Sequence, residues 1–357
     1  MSTPLSTARH RGVSFYRGLT GKGNYMKIVS IRQFAEEVRN RLSEKLAGYE
    51  LELREIPQNN GTKYSLTARK PGTNAAPALN LNPAYKDFVK RTEDGEDDVL
   101  NAIVDGFRKT VLSQYSGEMV GILSDRLTEL LDHWRERVYV KLVGKAGNES
   151  YLSDKVYVDF LDMAKVYYLR MCVGDDPIGS VAVTKEMLSG FGVSLAELDE
   201  IAVKNTEATP FEVLPILELL ERNTIQCIQQ SDRSDEEKEE AIRSAEAFFE
   251  VARREREIPM LVVSAEDYAF GAVGMILTNV LGEVREKLDG ADFYILPSSI
   301  DEFIAVPAIP DIGLDTLREM VCHVNGDDTV MSPEQVLTNS VYFSDGTKIV
   351  VASDEAA

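Results

Sequence analysis

The sequence has little cysteine and no long apolar run, and both absences narrow the kinds of protein it encodes. Its three cysteines, Cys172, Cys227 and Cys322, are odd in number and far apart. They do not form a disulfide framework or zinc motif, so we expect small buried side chains in a reducing compartment. No apolar stretch approaches the roughly 20 residues of a membrane span, and the N-terminus lacks the apolar core of a signal peptide. The sequence predicts a cytoplasmic protein without membrane contact.

Positive charge is also scarce. The chain has 39 Lys and Arg residues against 59 Asp and Glu residues, a net charge of −20. This charge balance argues against electrostatic binding of nucleic acid or anionic lipid. Acidity of this degree is compatible with a mimic of nucleic acid. Cations are mixed with the acids almost everywhere, however, so we favour a solvated acidic surface and expect no nucleic-acid partner.

Motifs for cofactors and metals are missing as well. Gly271-Ala272-Val273-Gly274 lacks the third glycine and the lysine of a phosphate loop, so we interpret it as a close-packing segment. No metalloprotease helix, paired cysteine motif or nucleophile elbow is present. We therefore expect no cofactor and no metal site. Isolated residues with metal-ligand chemistry remain, and we interpret them as surface or loop residues: His10, His133, His323, Asp175-Asp176 and Asp327-Asp328.

The length and composition indicate a globular protein of two or three domains. A chain of 357 residues is too long for one ordinary core, and 44% hydrophobic with 27% charged residues is a globular composition. Hairpin patterns interleave with helical ones, so we predict an α+β fold. The predicted units are a disordered basic tail (1–25), an N-terminal α+β unit (26–115), a middle α+β unit (116–230), a charged helix or linker (231–258) and a C-terminal α+β unit (259–357).

The first 25 residues differ from the rest of the chain. They contain Arg9, Arg11, Arg17 and Lys22 without an acid, and no helical or strand period. We expect a disordered tail. Met26 lies just before a helix cap, and the codons for a Gly-Lys-Gly segment upstream can resemble a ribosome-binding sequence. Translation from Met1 and translation from Met26 both remain open.

Several elements are predicted from local patterns. Ser30 and Ser194 each begin a capping box and a helix, and Asn59-Asn60-Gly61 is a strong hairpin turn. Other segments are less distinctive. Tyr157–Val173 fits strand or helix, Pro210–Pro215 is interpreted as a junction, Pro77–Leu81 as a third strand, and Ala269–Val273 as a strand that pairs with Met260–Val263.

A strongly charged helix is predicted within 231–257. Acids lead and arginines follow, which is the order that the helix dipole favours. Ile242, Ala245, Phe249 and Ala252 form a narrow apolar stripe. The plain interpretation is a surface helix that joins domains. The alternative is a coiled-coil arm for a protein partner, although few heptads are present.

The clearest supersecondary unit is Phe293–Pro307, a buried hairpin around a polar centre. This centre holds the candidate site residues Ser298, Ser299, Asp301 and Glu302. A serine nucleophile needs a neighbouring base, and no histidine occurs in the motif. Hydroxyls and carboxylates at a turn usually satisfy local backbone groups. We therefore favour a structural turn over a catalytic one.

Two functions are compatible with these features. The preferred one is a non-catalytic cytoplasmic module that binds a partner protein or a small ligand. The alternative is a hydrolase-type enzyme at the Leu296–Glu302 turn, with Ser298 or Ser299 beside Asp301 or Glu302. The sequence leaves open whether the protein is an enzyme.

Short segments spread over most of Met26–Phe343 form a recognisable set: Asn59-Asn60-Gly61, Leu66-Thr67-Ala68-Arg69-Lys70, Asn74-Ala75-Ala76-Pro77, Lys141-Leu142-Val143, Phe160-Leu161-Asp162, Lys204-Asn205-Thr206, Phe270-Gly271-Ala272, Leu296-Pro297-Ser298-Ser299, Val336-Leu337 and Val341-Tyr342. With these segments the chain resembles an uncharacterised family from anaerobic gut bacteria, described only as a domain of unknown function. The resemblance implies a shared fold and domain order. It implies no activity, because the family has none assigned.

Two positions depart from that family's pattern. The family's serine pair is followed by an apolar residue, a histidine and a glutamate, whereas this chain has Asp301 at the histidine position and retains Glu302. Val262-Val263-Ser264 stands where the family tends to have Leu-Thr-Asn. These departures would put a histidine-dependent activity at the turn in doubt for this chain.

Overall fold

The fold is α+β, as predicted, and its strands pair antiparallel in three sheets among the described residues. The structure is a computed structural model, and it describes residues 28–71, 76, 78–91, 95–114, 129–173, 176–255, 258–266, 270–310, 312–327 and 331–353. The basic tail, Met26, Gly174-Asp175 and most of the helix predicted over Ile122–Trp134 lie outside these residues.

The first sheet packs against three helices. Helix α1 begins at Ser30, whose Oγ accepts the amide of Gln33, as the capping box predicted. The predicted two-residue turn joins the first strand pair, with Asn60 in the left-handed conformation. The helix after the third strand was not predicted, because Pro83 in its first turn resembles a break. The elements are α1 (Ile31–Lys45), β1 (Glu50–Gln58), β2 (Gly61–Arg69), β3 (Ala78–Asn80), α2 (Leu81–Lys90) and α3 (Glu96–Gln114).

The segment Tyr157–Val173, whose sequence fits either strand or helix, forms two strands of the second sheet. They turn at Leu161, which has a φ of 55°. Strand β6 is central, with β4 along one edge and β5 and β7 along the other. The elements are α4 (Trp134–Arg137), β4 (Val138–Gly144), α5 (Glu149–Leu152), β5 (Tyr157–Phe160), β6 (Met163–Val173), β7 (Asp176–Ala182), α6 (Lys185–Phe191) and α7 (Leu195–Glu207).

The third sheet has six strands in the order β13-β12-β10-β11-β9-β8. The predicted hairpin is confirmed, with Phe293 opposite Pro307 and Leu296 opposite Ile304. Buried side chains of successive residues alternate between two clusters, so helices cover both faces. The elements are β8 (Phe211–Pro215), β9 (Leu261–Ala265), α10 (Thr278–Lys287), β10 (Phe293–Leu296), β11 (Glu302–Pro307), α11 (Leu314–Asn325), β12 (Tyr342–Ser344) and β13 (Ile349–Val351).

Two predictions about this sheet are wrong. Pro210–Pro215 is more than a junction, because β8 pairs with β9 along its whole length. The segment predicted as a partner for β9 instead forms a buried 3-10 helix, Gly271–Ile276. Strand β9 has β8 and β11 on its two edges, so no edge is left for another strand. The apolar segment is buried by packing on the sheet.

The charged segment forms a helical hairpin with the helix before it. Helix α8 (Ile216–Gln230) and helix α9 (Asp235–Glu255) pack against each other, and α8 also contacts β8 and β9. Arg253 of α9 pairs with Glu221 of α8 at 2.6 Å, which fixes their register. We call α8 and α9 the helical hairpin below.

Two of the three cysteines differ from their prediction, and the side chain of Cys172 lies outside the described part of the structure. Cys227 on α8 and Cys322 on α11 are free and exposed, although they were expected to be buried. Both lie on amphipathic helices whose other faces pack inward, and the helical period places these two positions outside.

The predicted unit boundaries stay a prediction. Strand β8, which lies before the predicted boundary at 230, pairs with β9, which lies after it. Leu142 and Met163 of the second sheet also join the core of the third sheet. These two sheets therefore share apolar contacts.

Candidate functional site

The turn Pro297–Asp301 joins β10 to β11, and its polar side chains bond to their own loop. The Ser298 hydroxyl donates to a Glu302 carboxylate oxygen at 3.1 Å. The Ser299 hydroxyl accepts the Asp301 amide at 3.0 Å, and the Ser299 amide donates to the Glu302 carbonyl at 3.1 Å. The structure therefore brings the four predicted residues together in the bonding pattern of a structural turn.

Asp301 also reaches beyond its own loop. Its Oδ1 accepts the backbone amide of Phe270 at 2.9 Å, and its Oδ2 lies 3.5 Å from the Gln335 amide nitrogen. Phe270 has a φ of 56°, a left-handed conformation that is uncommon for a bulky residue. The bond from Asp301 helps to hold that conformation, so the turn positions the start of the 3-10 helix.

Asp301→Asn should change the free energy of unfolding by less than about 1 kcal/mol, because asparagine keeps an oxygen for the Phe270 amide. Asp301→Ala removes that acceptor and should lower the free energy of unfolding by about 1–3 kcal/mol. Urea denaturation of both variants measures the difference. Equal losses in the two variants would show that the charge of Asp301, and not its contact with Phe270, stabilises the turn.

Lys141 on β4 lies near this turn, and no sequence pattern identified it as a site residue. Its ammonium lies 4.7 Å from the ring centre of Phe270 and 5.8 Å from that of Tyr151. Within the part of the chain that the structure describes, it forms neither a hydrogen bond nor an ion pair. Burial lowers the pKa of Lys141 to about 8, an effect that the charge of Asp301 partly opposes.

Aromatic rings continue from Lys141 across the same face of the second sheet. The Tyr168 ring meets Phe270 edge-on, with 4.7 Å between ring centres. Tyr139 lies 6.0 Å from Tyr168, and the Arg170 guanidinium stacks 4.3 Å above the Tyr139 ring. The Phe270 ring therefore has Lys141 and Tyr168 as cationic and aromatic neighbours, which stabilise its position.

A second polar cluster surrounds Asp162 in the turn between β5 and β6. Its carboxylate accepts hydroxyl bonds from Thr338 and Ser340, each at 2.8 Å, and from Tyr342 at 2.5 Å. These bonds hold the pKa of Asp162 below its usual range, although burial opposes them. The cluster joins the second sheet to the segment before β12, and we interpret it as structural.

A third cluster joins the first sheet to the rest of the chain. Asn148 is buried, and its amide nitrogen lies within hydrogen-bond distance of oxygens of Gly144, Asn59 and Asn60 at 2.7 to 3.1 Å. Its side-chain oxygen accepts the Asn60 amide at 2.6 Å. The Asn60 side chain in turn donates to the carbonyl of Val336 at 2.7 Å. The hairpin turn identified in the sequence is therefore a tertiary contact.

The helical hairpin presents apolar side chains to solvent. Leu220 on α8 is 46% exposed, while Phe248 and Val251 on α9 are 66% and 51% exposed. Phe249 beside them is buried. We call Leu220, Phe248 and Val251 the hairpin stripe.

Other predicted features lie away from the turn. His133 and His323 are exposed, and no group of His, Cys, Asp and Glu suited to a metal ion occurs among the described residues. A cavity of about 460 Å³ lies beside the second sheet and includes Lys145, Glu149, Ser153 and Lys185 in its wall. It contains none of the four turn residues. No helix among the described residues is long and apolar enough to cross a membrane.

Comparison with protein families matches residues 31–345 to DUF5688, described as a family of unknown function. The match covers most of the chain and agrees with the resemblance seen in the sequence. No curated protein and no protein of solved structure matches the chain.

Proposed function

The chain belongs to the DUF5688 family, a family of unknown function, and we propose from its own geometry that it is a non-catalytic cytoplasmic module that binds a partner protein. The observation that carries this proposal is the hairpin stripe. Single exposed apolar residues are common, but exposed leucine, phenylalanine and valine on adjacent helices are typical of an interaction surface.

The contacts of α8 and α9 indicate which sides of the two helices face away from the sheet and from each other. Arg222 on α8 pairs with Glu212 of β8 at 2.9 Å, so this side of α8 faces the sheet. Side chains two positions apart on a helix point about 200° apart, so Leu220 points away from the sheet. The Arg253–Glu221 pair places the end of α9 beside the start of α8. Phe248 and Val251 are three positions apart, so they lie on one side of α9.

The charge around the stripe indicates the chemistry of the partner. The first turn of α9 is acidic, with Asp235, Glu236 and Glu237. The whole chain carries a net charge of −20. An amphipathic helix with an apolar face bordered by lysine or arginine would match both the apolar stripe and the acidity of the chain. The same acidity argues against nucleic acid as the partner.

One observation supports the cytoplasmic part of the proposal. Cys227 and Cys322 are free and exposed, and exposed thiols persist best in a reducing compartment. Cys227 also lies on α8, so oxidation there would alter the helical hairpin surface.

The hydrolase alternative has less support. Both turn hydroxyls are engaged within their own loop, and a serine nucleophile needs a base as its hydrogen-bond partner. The Ser298 hydroxyl bonds to the Glu302 carboxylate, and no described histidine or lysine bonds to either hydroxyl. Catalysis at the Leu296–Glu302 turn stays a prediction.

Leu220→Asp should abolish capture of the partner protein from an extract of the native host, because it places a charge within the hairpin stripe. Leu112→Asp is the matched control, since Leu112 is a leucine on α3 with nearly the same exposure, 47% against 46% for Leu220. Val251→Asp and Val89→Asp form a second matched pair at 51% and 52% exposure. Quantitative mass spectrometry compares the captured proteins.

The proposal predicts a protein that the wild type and both control variants retain and that both stripe variants lose. Circular dichroism and thermal unfolding establish that the variants stay folded. Equal capture by stripe and control variants would overturn the assignment of the surface. Retention of a partner whose contact region lacks basic residues would overturn the proposed chemistry.

A further inference from the structure

Lys141 has no role in the proposed binding of a partner protein, but its side-chain amine lies in an environment that favours reactivity. We propose that its amine is a nucleophile that forms a reversible imine with a small neutral aldehyde or ketone. The proposal rests on the position of the amine between two aromatic rings, on its lack of a hydrogen-bond partner among the described residues, and on the nearby carboxylate of Asp301. It is independent of the helical hairpin.

The surroundings of Lys141 favour a neutral amine. The Phe270 and Tyr151 rings replace water on two sides of the amine at 4.7 and 5.8 Å. Such rings attract an ammonium but accept no ordinary hydrogen bond, so they compensate only partly for lost hydration. The pKa of Lys141 is accordingly lowered to about 8. A larger share of this amine is therefore neutral and nucleophilic near neutral pH than in an exposed lysine.

Lys165 on β6 shows the contrasting arrangement in the same sheet. Its ammonium donates to both carboxylate oxygens of Asp199 at 2.6 and 2.8 Å, and its side chain is 14% exposed. These hydrogen bonds occupy the amine and have to break before it attacks a carbonyl carbon. Lys165 is therefore a matched lysine with a partnered amine within the same molecule.

The negative charge of Asp301 determines which class of ligand can approach the Lys141 amine. Its carboxylate lies close enough to raise the pKa of Lys141 against the effect of burial. An anionic ligand at the amine would be repelled by Asp301, whereas a neutral carbonyl compound would not. The aromatic walls also favour a ligand with a short apolar portion.

The chemical step is complete without an oxidant or a reductant. The nitrogen lone pair attacks the carbonyl carbon and gives a carbinolamine after proton exchange with water. Loss of the former carbonyl oxygen as water forms the carbon–nitrogen double bond. Hydrolysis reverses the sequence, so the site binds its ligand covalently but reversibly.

The test uses the full chain with propionaldehyde as the neutral probe and cyanoborohydride to trap the imine. Peptide mass spectrometry then gives the labelling rate of each lysine. At pH 7 we expect Lys141 to be labelled at least about tenfold faster than Lys86, whose side chain is 63% exposed, because the lowered pKa of Lys141 leaves more of its amine neutral. Lys165 should be labelled more slowly than either. Glyoxylate, an anionic aldehyde, should lose most of the preference for Lys141.

Two further measurements keep the result unambiguous. The labelling rate of Lys141 should level off above about pH 8, so its pH profile should differ from that of an ordinary lysine, whose pKa is about 10.4. Lys141→Arg keeps a cation between the rings and should remove only the fast-labelled peptide. Labelling of Lys141 no faster than Lys86, or with the same pH profile, would overturn the proposal. Equal preference with glyoxylate would overturn the choice of a neutral ligand.

Discussion

Gly271→Ala should lower the free energy of unfolding by about 3 kcal/mol or more, because the position has no room for a side chain. A Cβ atom there would lie 2.3 Å from the Asp301 carbonyl oxygen and 2.4 Å from the Ala265 backbone nitrogen. Both neighbours are backbone atoms of the central sheet and its turn, so neither moves without disturbing hydrogen-bonded strands. Urea denaturation measures the loss.

Gly282→Ala is the matched control, because the same substitution should raise the free energy of unfolding at this position. Gly282 lies within α10 and a Cβ there meets no heavy atom within 4 Å. Alanine is favoured over glycine inside a helix by about 1 kcal/mol, so this variant should be more stable than the wild type. A Gly271→Ala protein as stable as the wild type would show that the 3-10 helix is not packed against the turn as described.

Asn148→Ala should lower the free energy of unfolding by about 2–4 kcal/mol, since it leaves several buried polar groups without partners. The affected groups are the Asn60 amide and the side-chain oxygen of Asn59, together with the Gly144 carbonyl. The loss should be accompanied by faster hydrogen exchange at the turn between β1 and β2. Urea denaturation and hydrogen-exchange mass spectrometry measure both effects.

Asn40→Ala is the control for Asn148→Ala. Asn40 is an exposed residue of α1, and substitutions at such positions change the free energy of unfolding by about 0.5 kcal/mol or less. Exchange at the turn should be unchanged in this variant. Asn148→Ala with unaltered exchange at Asn60 would contradict the role assigned to Asn148 in joining the first sheet to the second.

Part of the candidate site was predictable from the sequence. Ser298, Ser299, Asp301 and Glu302 lie within a few positions of each other, so any tight connection between β10 and β11 brings them together. Their bonds to one another are also local. Lys141 could not be identified in this way, because its neighbours Phe270 and Asp301 are distant in sequence. A lone lysine in an apolar strand was the one available signal.

The hairpin stripe was partly predictable as well. The sequence predicted the charged helix and a narrow apolar row on it that includes Phe249, which is buried. It did not show that Phe248, beside it, is exposed, or that Leu220 on α8 is exposed as well. Those facts depend on the packing of α8 against β8, which was itself mistaken for a junction.

Elements whose stabilising contacts are local could be predicted from the amino-acid order alone. The helix starts at Ser30 and Ser194, the turn at Asn59-Asn60 and the hairpin of β10 and β11 all depend on hydrogen bonds or alternation within a few residues. The folded arrangement was needed to show which strands flank β9, why Gly271 must lack a side chain, and which groups surround Lys141. Strand edges, close backbone contacts and desolvation are set by distant segments, and no local pattern records them.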